Sequence, residues 1–359
     1  MLKTFSITNF KCFRHFTIAD LAPINLITGL NNVGKSALLE ALFLHAGRFN
    51  PIISLNINAS RGLALSNPTP DVMWGWHFLD RNLENTIHLE GTTDDGRQVK
   101  LSIASTPVKT PTQAPNAPPS APRSTAGGSL TAAPLHHELV YTYTSPNGQS
   151  QTNGLTFNEQ GIPIPKRPPP SLNTAAFLPA RSMFHMEDAA ILDRLNMEKR
   201  LPDILEIVHF FDQRIKGFSL SAQWGPLTIV VDMEGQQYFM PLPFAGEGLA
   251  RFVCILLHVV QLSPGCLLLI DDIDNGIHYS ILRKVWSAIV QMALKSQVQI
   301  VATTHNRECV IAAHDACSTL LKYPFRLHRL ERLEDNSVKV ISYDQEALTS
   351  AIAADFEMR

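Results

Sequence analysis

The sequence predicts an α/β fold built round a parallel sheet, and three observations carry that reading. The first is Gly29-Leu-Asn-Asn-Val-Gly34-Lys35-Ser36, a complete G-x-x-x-x-G-K-[ST] run between the apolar segment Ile24–Thr28 and a helical pattern from Lys35 to Ala46. The second is Leu267–Ile270, an apolar run that closes in Asp271-Asp272. The third is Val298–Ala302, followed by Thr303-Thr304-His305. Short apolar runs that stop at a turn or an acid are how strands buried on both faces read.

The remaining elements follow in order. Phe5, Ile7 and Phe10 mark a first strand and Phe16–Ile18 a second. Leu38, Leu39, Leu42 and Phe43 form the apolar side of the helix after Ser36. Ile87–Leu89 and Val99–Ile103 alternate as strands about the turn Asp94-Asp95-Gly96. Ser105–Leu135 is then rich in Pro, Ala, Ser and Thr, too poor in apolar surface to offset its ordering entropy, and reads as a disordered insertion. Strand character resumes at Leu139–Tyr143, and the proline cluster Ile162–Pro170 reads as a stiff connector. Pro202–Ile215 fits a helix, Phe218–Leu220, Leu227–Val231 and Tyr238–Met240 a small antiparallel sheet, and Gly248–Leu262 a buried helix. The C-terminal part reads strand, turn at Glu334–Ser337, strand, and a helix from Gln345.

Composition bounds the function. At 359 residues and 45% hydrophobic, the chain can bury a large core, and its net charge of −2 gives no general attraction to nucleic acid, although a local basic patch for DNA stays open. Five cysteines with no C-x-x-C read as reduced thiols of a cytoplasmic protein, and no signal-peptide layout opens the chain. The apolar stretch Phe252–Leu262, broken by His258, is too short to span a bilayer, so no membrane association is expected.

The motifs bring specific chemistry. In the first, Gly29 and Gly34 let the backbone curl so that N–H groups of Asn31, Asn32, Val33, Gly34 and Lys35 face phosphates, and the helix that follows aims its positive end at the same anion. Lys35 reaches the outer phosphates of ATP, and the Ser36 hydroxyl is a ligand for Mg²⁺. Asp271 is the expected second Mg²⁺ ligand, and Asp272 is placed to orient or deprotonate the attacking water. His305, at the end of the next strand, faces the nucleotide crevice and is a candidate γ-phosphate contact. Gly246-Glu247-Gly248 opens a buried helix. Because the first motif already holds a β-phosphate, this second phosphate-binding helix start points to a nucleotide bound from another subunit.

Together these motifs resemble the ABC-type and AAA-family ATPases, in the branch of RecF-like and OLD-like proteins. The likeness starts at Ile7-Thr-Asn-Phe10-Lys-Cys-Phe13, runs through the P-loop, Gly246–Gly248 and Asp271–His278, and ends at Ala302–His305 and the terminal Tyr323–Arg329 and Tyr343–Glu346. The resemblance implies an ABC-ATPase-like head with a P-loop NTPase core of RecA type, a mixed β N-terminal part and a helical signature subdomain. It implies that Asp274–His278 is the D-loop, that His305 is the switch histidine, and that Gly246–Gly248 plays the signature motif. Two protomers would then form a homodimer, head to tail, with two ATP molecules between them. Such ATPases usually carry Glu where this chain has Asp272 and Asp274, so a longer distance from base to water, and slow hydrolysis, are expected.

The expected organisation is an N-terminal ATPase lobe over 1–104, the insertion over 105–137, and a continuation of the lobe over 138–183. A helical signature subdomain over 184–262 and a core carrying Walker B, D-loop and switch histidine over 263–359 complete it. His305, Cys309, His314 and Cys317 imitate a zinc pattern, but their spacing along one strand end and one helix fits small buried hydrophobes better. A GTPase N-K-x-D, SMC heptad arms, a transporter L-S-G-G-Q and room for a TOPRIM nuclease domain after His305 are all missing. Two functions fit: an ATPase that drives or gates a separate effector such as a nuclease, in DNA repair or phage defence, and an ATP-gated dimerising scaffold with little turnover.

Overall fold

A computed structural model describes residues 1–63, 70–108, 136–157, 162–169, 174–180 and 186–357. In chain order its N-terminal part comprises β1 (Leu2–Phe10), β2 (Phe13–Ile18), β3 (Ile24–Gly29), α1 (Lys35–Ala46), α2 (Ile52–Ser60), α3 (Pro70–Trp74), β4 (Ile87–Thr93) and β5 (Gln98–Val108). There follow β6 (His136–Thr144), β7 (Ser150–Phe157), β8 (Pro163–Pro165), β9 (Ala175–Leu178), α4 (Met186–Met197), α5 (Leu201–Val208), β10 (Ile215–Ser221), β11 (Thr228–Met233), β12 (Met240–Pro241) and α6 (Glu247–Gln261). The C-terminal part is β13 (Leu267–Ile270), α7 (Tyr279–Ser296), β14 (Gln299–Thr303), α8 (Arg307–Ser318), β15 (Phe325–Arg332), β16 (Val338–Tyr343) and α9 (Gln345–Ala353).

The central sheet has the order β16-β15-β3-β14-β13-β9. All its neighbours are parallel except β15 and β16, which form an antiparallel pair. Side chains alternate across it. Ile24, Leu26, Leu268, Ile270, Ile300 and Ala302 face a core shared with α6, α7 and α8 and with the sheet β10-β11-β12. Ile27, Leu267, Leu269 and Val301 face a second core, shared with α1 and the antiparallel sheet β2-β1-β4-β5-β6-β7-β8. Helix α1 therefore lies between two sheets. That explains why Ala37, Leu38, Leu39, Ala41, Leu42 and Leu44 are all buried, where the sequence pattern predicts a single apolar side.

Several expectations shift. β5 runs on to Val108 and β6 begins at His136, so 105–108 and 136–137, assigned to the insertion, are paired strand. The rest of that segment lies outside the described residues. Part of the proline connector is strand β8, paired with β7 at the sheet edge, where a missing N–H costs no ladder bond. The helix expected over Pro202–Ile215 stops at Val208, because Ile215 is already paired with Met233. No helix of the described residues is long and apolar enough to cross a membrane.

Candidate nucleotide site

The P-loop leaves β3 at Gly29, with φ at 137°, and a Cβ there would lie 2.5 Å from the carbonyl oxygen of Leu330. Only glycine fits. Gly34, with φ at 118°, is equally constrained: a Cβ would sit 2.8 Å from Phe13 and 2.9 Å from the Cys12 sulfur. Buried Val33 pins the loop from beneath, while Leu30, Asn31 and Asn32 are exposed. Gly34 is also the N-cap of α1. It supplies no capping side chain, and no acid occupies the first turn. The N–H groups at that helix start therefore have no capping side chain, the arrangement that suits an anion. The Lys35 ammonium folds over the loop, donating to the Gly29 carbonyl at 2.7 Å and the Leu30 carbonyl at 3.1 Å. Burial lowers its pKa, and the charges of Asp272 and Asp271 oppose that shift. Ser36 follows, half-buried, at the start of α1.

The parallel register brings the other motifs to the same sheet end. Ile27 lies opposite Thr303, and Ile270 opposite Ala302. Gly29, Asp271, Asp272 and His305 therefore leave neighbouring strands on one side. Thr303 organises the acids: its hydroxyl donates to Asp271 Oδ1 at 2.7 Å and accepts the Asp272 N–H at 2.8 Å. Asp272 adopts φ of 48°. Its Oδ1 stands 3.6 Å from His305 Nδ1. The Asp272 pKa is raised, first by burial and then by the neighbouring Asp271, with His305 opposing. Asp274 is held in turn by the Thr304 hydroxyl, at 2.7 Å. The Ser36 hydroxyl and the Asp271 carboxylate are the hard oxygen donors that Mg²⁺ prefers.

The Gly246–Gly248 segment packs against the Asp274–His278 loop of its own chain. A Cβ on Gly248 would meet the Gly276 carbonyl oxygen at 2.3 Å, and one on Gly276 would meet Glu247 Cγ at 2.9 Å. The Glu247 stem thus runs over the Asp274–His278 backbone. Gly246, with φ at 116°, has open space on its Cβ side and starts α6 without a capping side chain.

Three further residues support the site. Buried Arg251, one turn into α6, donates to the Pro179 carbonyl at 2.7 Å and the Asp271 carbonyl at 2.5 Å, tying α6 to the ends of β9 and β13. Arg332 donates to the Asn32 carbonyl at 2.9 Å and braces the P-loop from β15. Thr303 is the third. The zinc-like quartet does not converge: Cys309 is buried and accepts from Trp286 Nε1 at 3.3 Å, His314 pairs with the Tyr323 hydroxyl, and His305 faces Asp272.

Comparison with known proteins bears on this arrangement. Residues 24–310 match the family described as "AAA domain, putative AbiEii toxin, Type IV TA system". The chain is similar to a Helicobacter pylori protein named ATP/GTP phosphatase, 24% identical over 335 residues, which cover 86% of each chain. Among solved structures it is similar to the SMC head of Pyrococcus furiosus bound to the C-terminal domain of ScpA, with 10% identity, 99% of each chain covered and a TM-score of 0.50. It also matches an SMC head bound to the C-terminal winged-helix domain of ScpA, with 12% identity, 96% and 98% of the chains covered and a TM-score of 0.49. The first of these structures shares the P-loop NTPase head fold derived above. The chain belongs to the AAA-domain family that its residues 24–310 match, and is an ATPase of the P-loop class.

Proposed function

We propose that two copies of this chain close head to tail over two ATP molecules, and that the resulting composite site hydrolyses ATP to gate a separate effector. Lys35 and the N–H groups from Asn31 to Ser36 would hold the β- and γ-phosphates. Ser36 and Asp271 would hold Mg²⁺, whose chemistry is to offset charge on the phosphate oxygens. Asp272 would orient and deprotonate the attacking water, and His305 would contact the γ-phosphate. Gly246–Gly248 of the second copy would close the site with its bare helix start.

The observation that carries this reading is the convergence of Lys35, Asp271, Asp272 and His305 at one sheet end, with Asp272 3.6 Å from His305. Support for the dimer comes from large apolar side chains exposed around the same motifs: Leu30 in the P-loop, Phe244 before the signature glycines and Tyr279 after the D-loop. An effector nuclease in DNA repair or phage defence, within the RecF-like and OLD-like branch, fits the resemblance and the family's toxin–antitoxin description.

A second reading, an ATP-gated scaffold, is favoured by one observation, the short acid at Asp272. Steady-state hydrolysis of ATP with Mg²⁺, with and without DNA, separates the two. We expect turnover that is abolished by Lys35→Ala. Tight ATP binding with no turnover in any condition would give the scaffold the better case. GTP in parallel reads the nucleotide preference.

A further inference from the structure

Among the described residues, a compact buried polar cluster lies away from the P-loop, between α4 and α6. Asp188, Cys254 and His258 are all buried, at 2%, 4% and 6% exposure, and one ligand atom from each lies within 4.8 Å of the others. Cys254 and His258 are four residues apart on α6 and so share a face. Asp188 reaches them from α4.

One oxygen, Asp188 Oδ1, accepts a hydrogen bond from the Cys254 thiol and is hydrogen-bonded to His258 Nε2, and this spacing is close to that of a metal-ligand set. Zinc binds thiolate at about 2.3 Å and imidazole or carboxylate at about 2.0–2.2 Å in tetrahedral geometry, which puts a carboxylate oxygen about 3.3 Å from an imidazole nitrogen and about 3.5 Å from a sulfur. Here Asp188 Oδ1 stands 3.0 Å from His258 Nε2 and 3.4 Å from Cys254 Sγ. The donor set is mixed: the sulfur and imidazole favour Zn²⁺ over Mg²⁺ or Ca²⁺. A cleft of about 460 Å³ is lined by His258 and Glu187 together with Phe177 and Pro179. Glu187, which precedes Asp188 on α4, is exposed at that cleft.

We propose that Asp188, Cys254 and His258 form a binding site for a zinc-class divalent cation. Binding replaces the Cys254 thiol proton, which passes to solvent, with a metal–sulfur bond, and His258 coordinates through Nε2 as neutral imidazole. The ion fastens α4 to the helix that begins with Gly246–Gly248, and so sets the attitude of the signature segment from behind.

The test uses the full chain, stripped with chelator and titrated with Co²⁺ in the absence of nucleotide. The expected result is a thiolate-to-cobalt charge-transfer band that saturates at about one ion per chain and is displaced by Zn²⁺ but not by Mg²⁺. The band is lost in Cys254→Ser and kept in Cys309→Ser. Asp188→Asn, close in shape to the native side chain, weakens Co²⁺ affinity at least about tenfold. A folded wild-type chain with no such band overturns the proposal. A band that survives Cys254→Ser, or an affinity untouched by Asp188→Asn, overturns it as well.

Discussion

Asp272 occupies the left-handed backbone region, with φ at 48°, directly after a buried parallel strand. Asp and Asn are tolerated there because a short polar side chain bonds locally, whereas a longer side chain gains nothing from that conformation. On the role proposed for Asp272, backbone and catalysis therefore pull in opposite directions. Asp272→Glu moves a carboxylate one methylene closer to an attacking water, so its single-turnover hydrolysis rate is expected to exceed that of the wild type. Its stability should fall, by about 1 kcal/mol. A rate at or below the wild-type value would show that reach is not what limits this acid. Three buried histidines set a pH dependence. His45, His77 and His328 are buried, and desolvation pushes their pKa values down to about 4, about 3 and about 3. In the unfolded chain they take up protons near 6.5, and in the native state they do not. The unfolded state thus binds more protons as pH falls below 6.5, and stability present above that pH is lost towards pH 4. The urea midpoint should drop between pH 7 and pH 5, at about 2 kcal/mol per histidine, and His328→Asn should flatten that slope.

At the scale of elements, Arg251 joins α6 to the ends of β9 and β13 through two carbonyls. Arg251→Met keeps much of the volume but leaves the Pro179 and Asp271 carbonyls without that donor, a loss of about 2–4 kcal/mol. Because Asp271 is one end of the link, kcat should fall with it while ATP affinity, set by the P-loop, stays near the wild-type value. A destabilised variant with unchanged kcat would show that Asp271 is positioned without Arg251. The same residue marks the boundary of what a sequence discloses. Gly29, Gly34, Lys35 and the Asp271-Asp272 pair are legible because their chemistry needs fixed residue types at fixed local spacing, and the hydrophobic runs that lead into them announce β3, β13 and β14. Arg251, Thr303 and Arg332 act on groups brought close only by folding: Arg251 on Pro179, Thr303 on Asp271, and Arg332 on Asn32 across 300 positions of chain. No local pattern announces such a partner. Helix α2 is hidden for another reason. Its residues Ile52–Ser60 are rich in β-branched and Asn residues with low helix propensity, and it is packing of Ile53 and Ile57 into the core around α1 that selects the helix.

At the scale of the whole molecule, the arrangement of the motifs makes a prediction about stoichiometry. The P-loop, the acids and His305 stand at one end of the central sheet, while Gly246–Gly248 packs on the D-loop of its own chain with Gly246 open. If the signature segment serves the P-loop of a second copy, damage to the two motifs should be separable between chains. Lys35→Ala removes phosphate binding. Gly246→Asp removes the signature function by placing a carboxylate and a strained backbone at the bare start of α6, where φ is 116° and space for the side chain is open. Each variant alone should be inactive. When the two are mixed, a heterodimer holds one site in which both motifs are damaged and one in which both are sound, so ATP hydrolysis should reappear. Were the signature segment to act within its own chain, neither chain of the mixture would possess a complete site and activity would stay absent. Sedimentation of the same samples with and without ATP and Mg²⁺ distinguishes a failure to pair from a failure to hydrolyse. A mixture that forms dimers yet recovers no hydrolysis would place the active site within a single chain and remove the composite site from the mechanism.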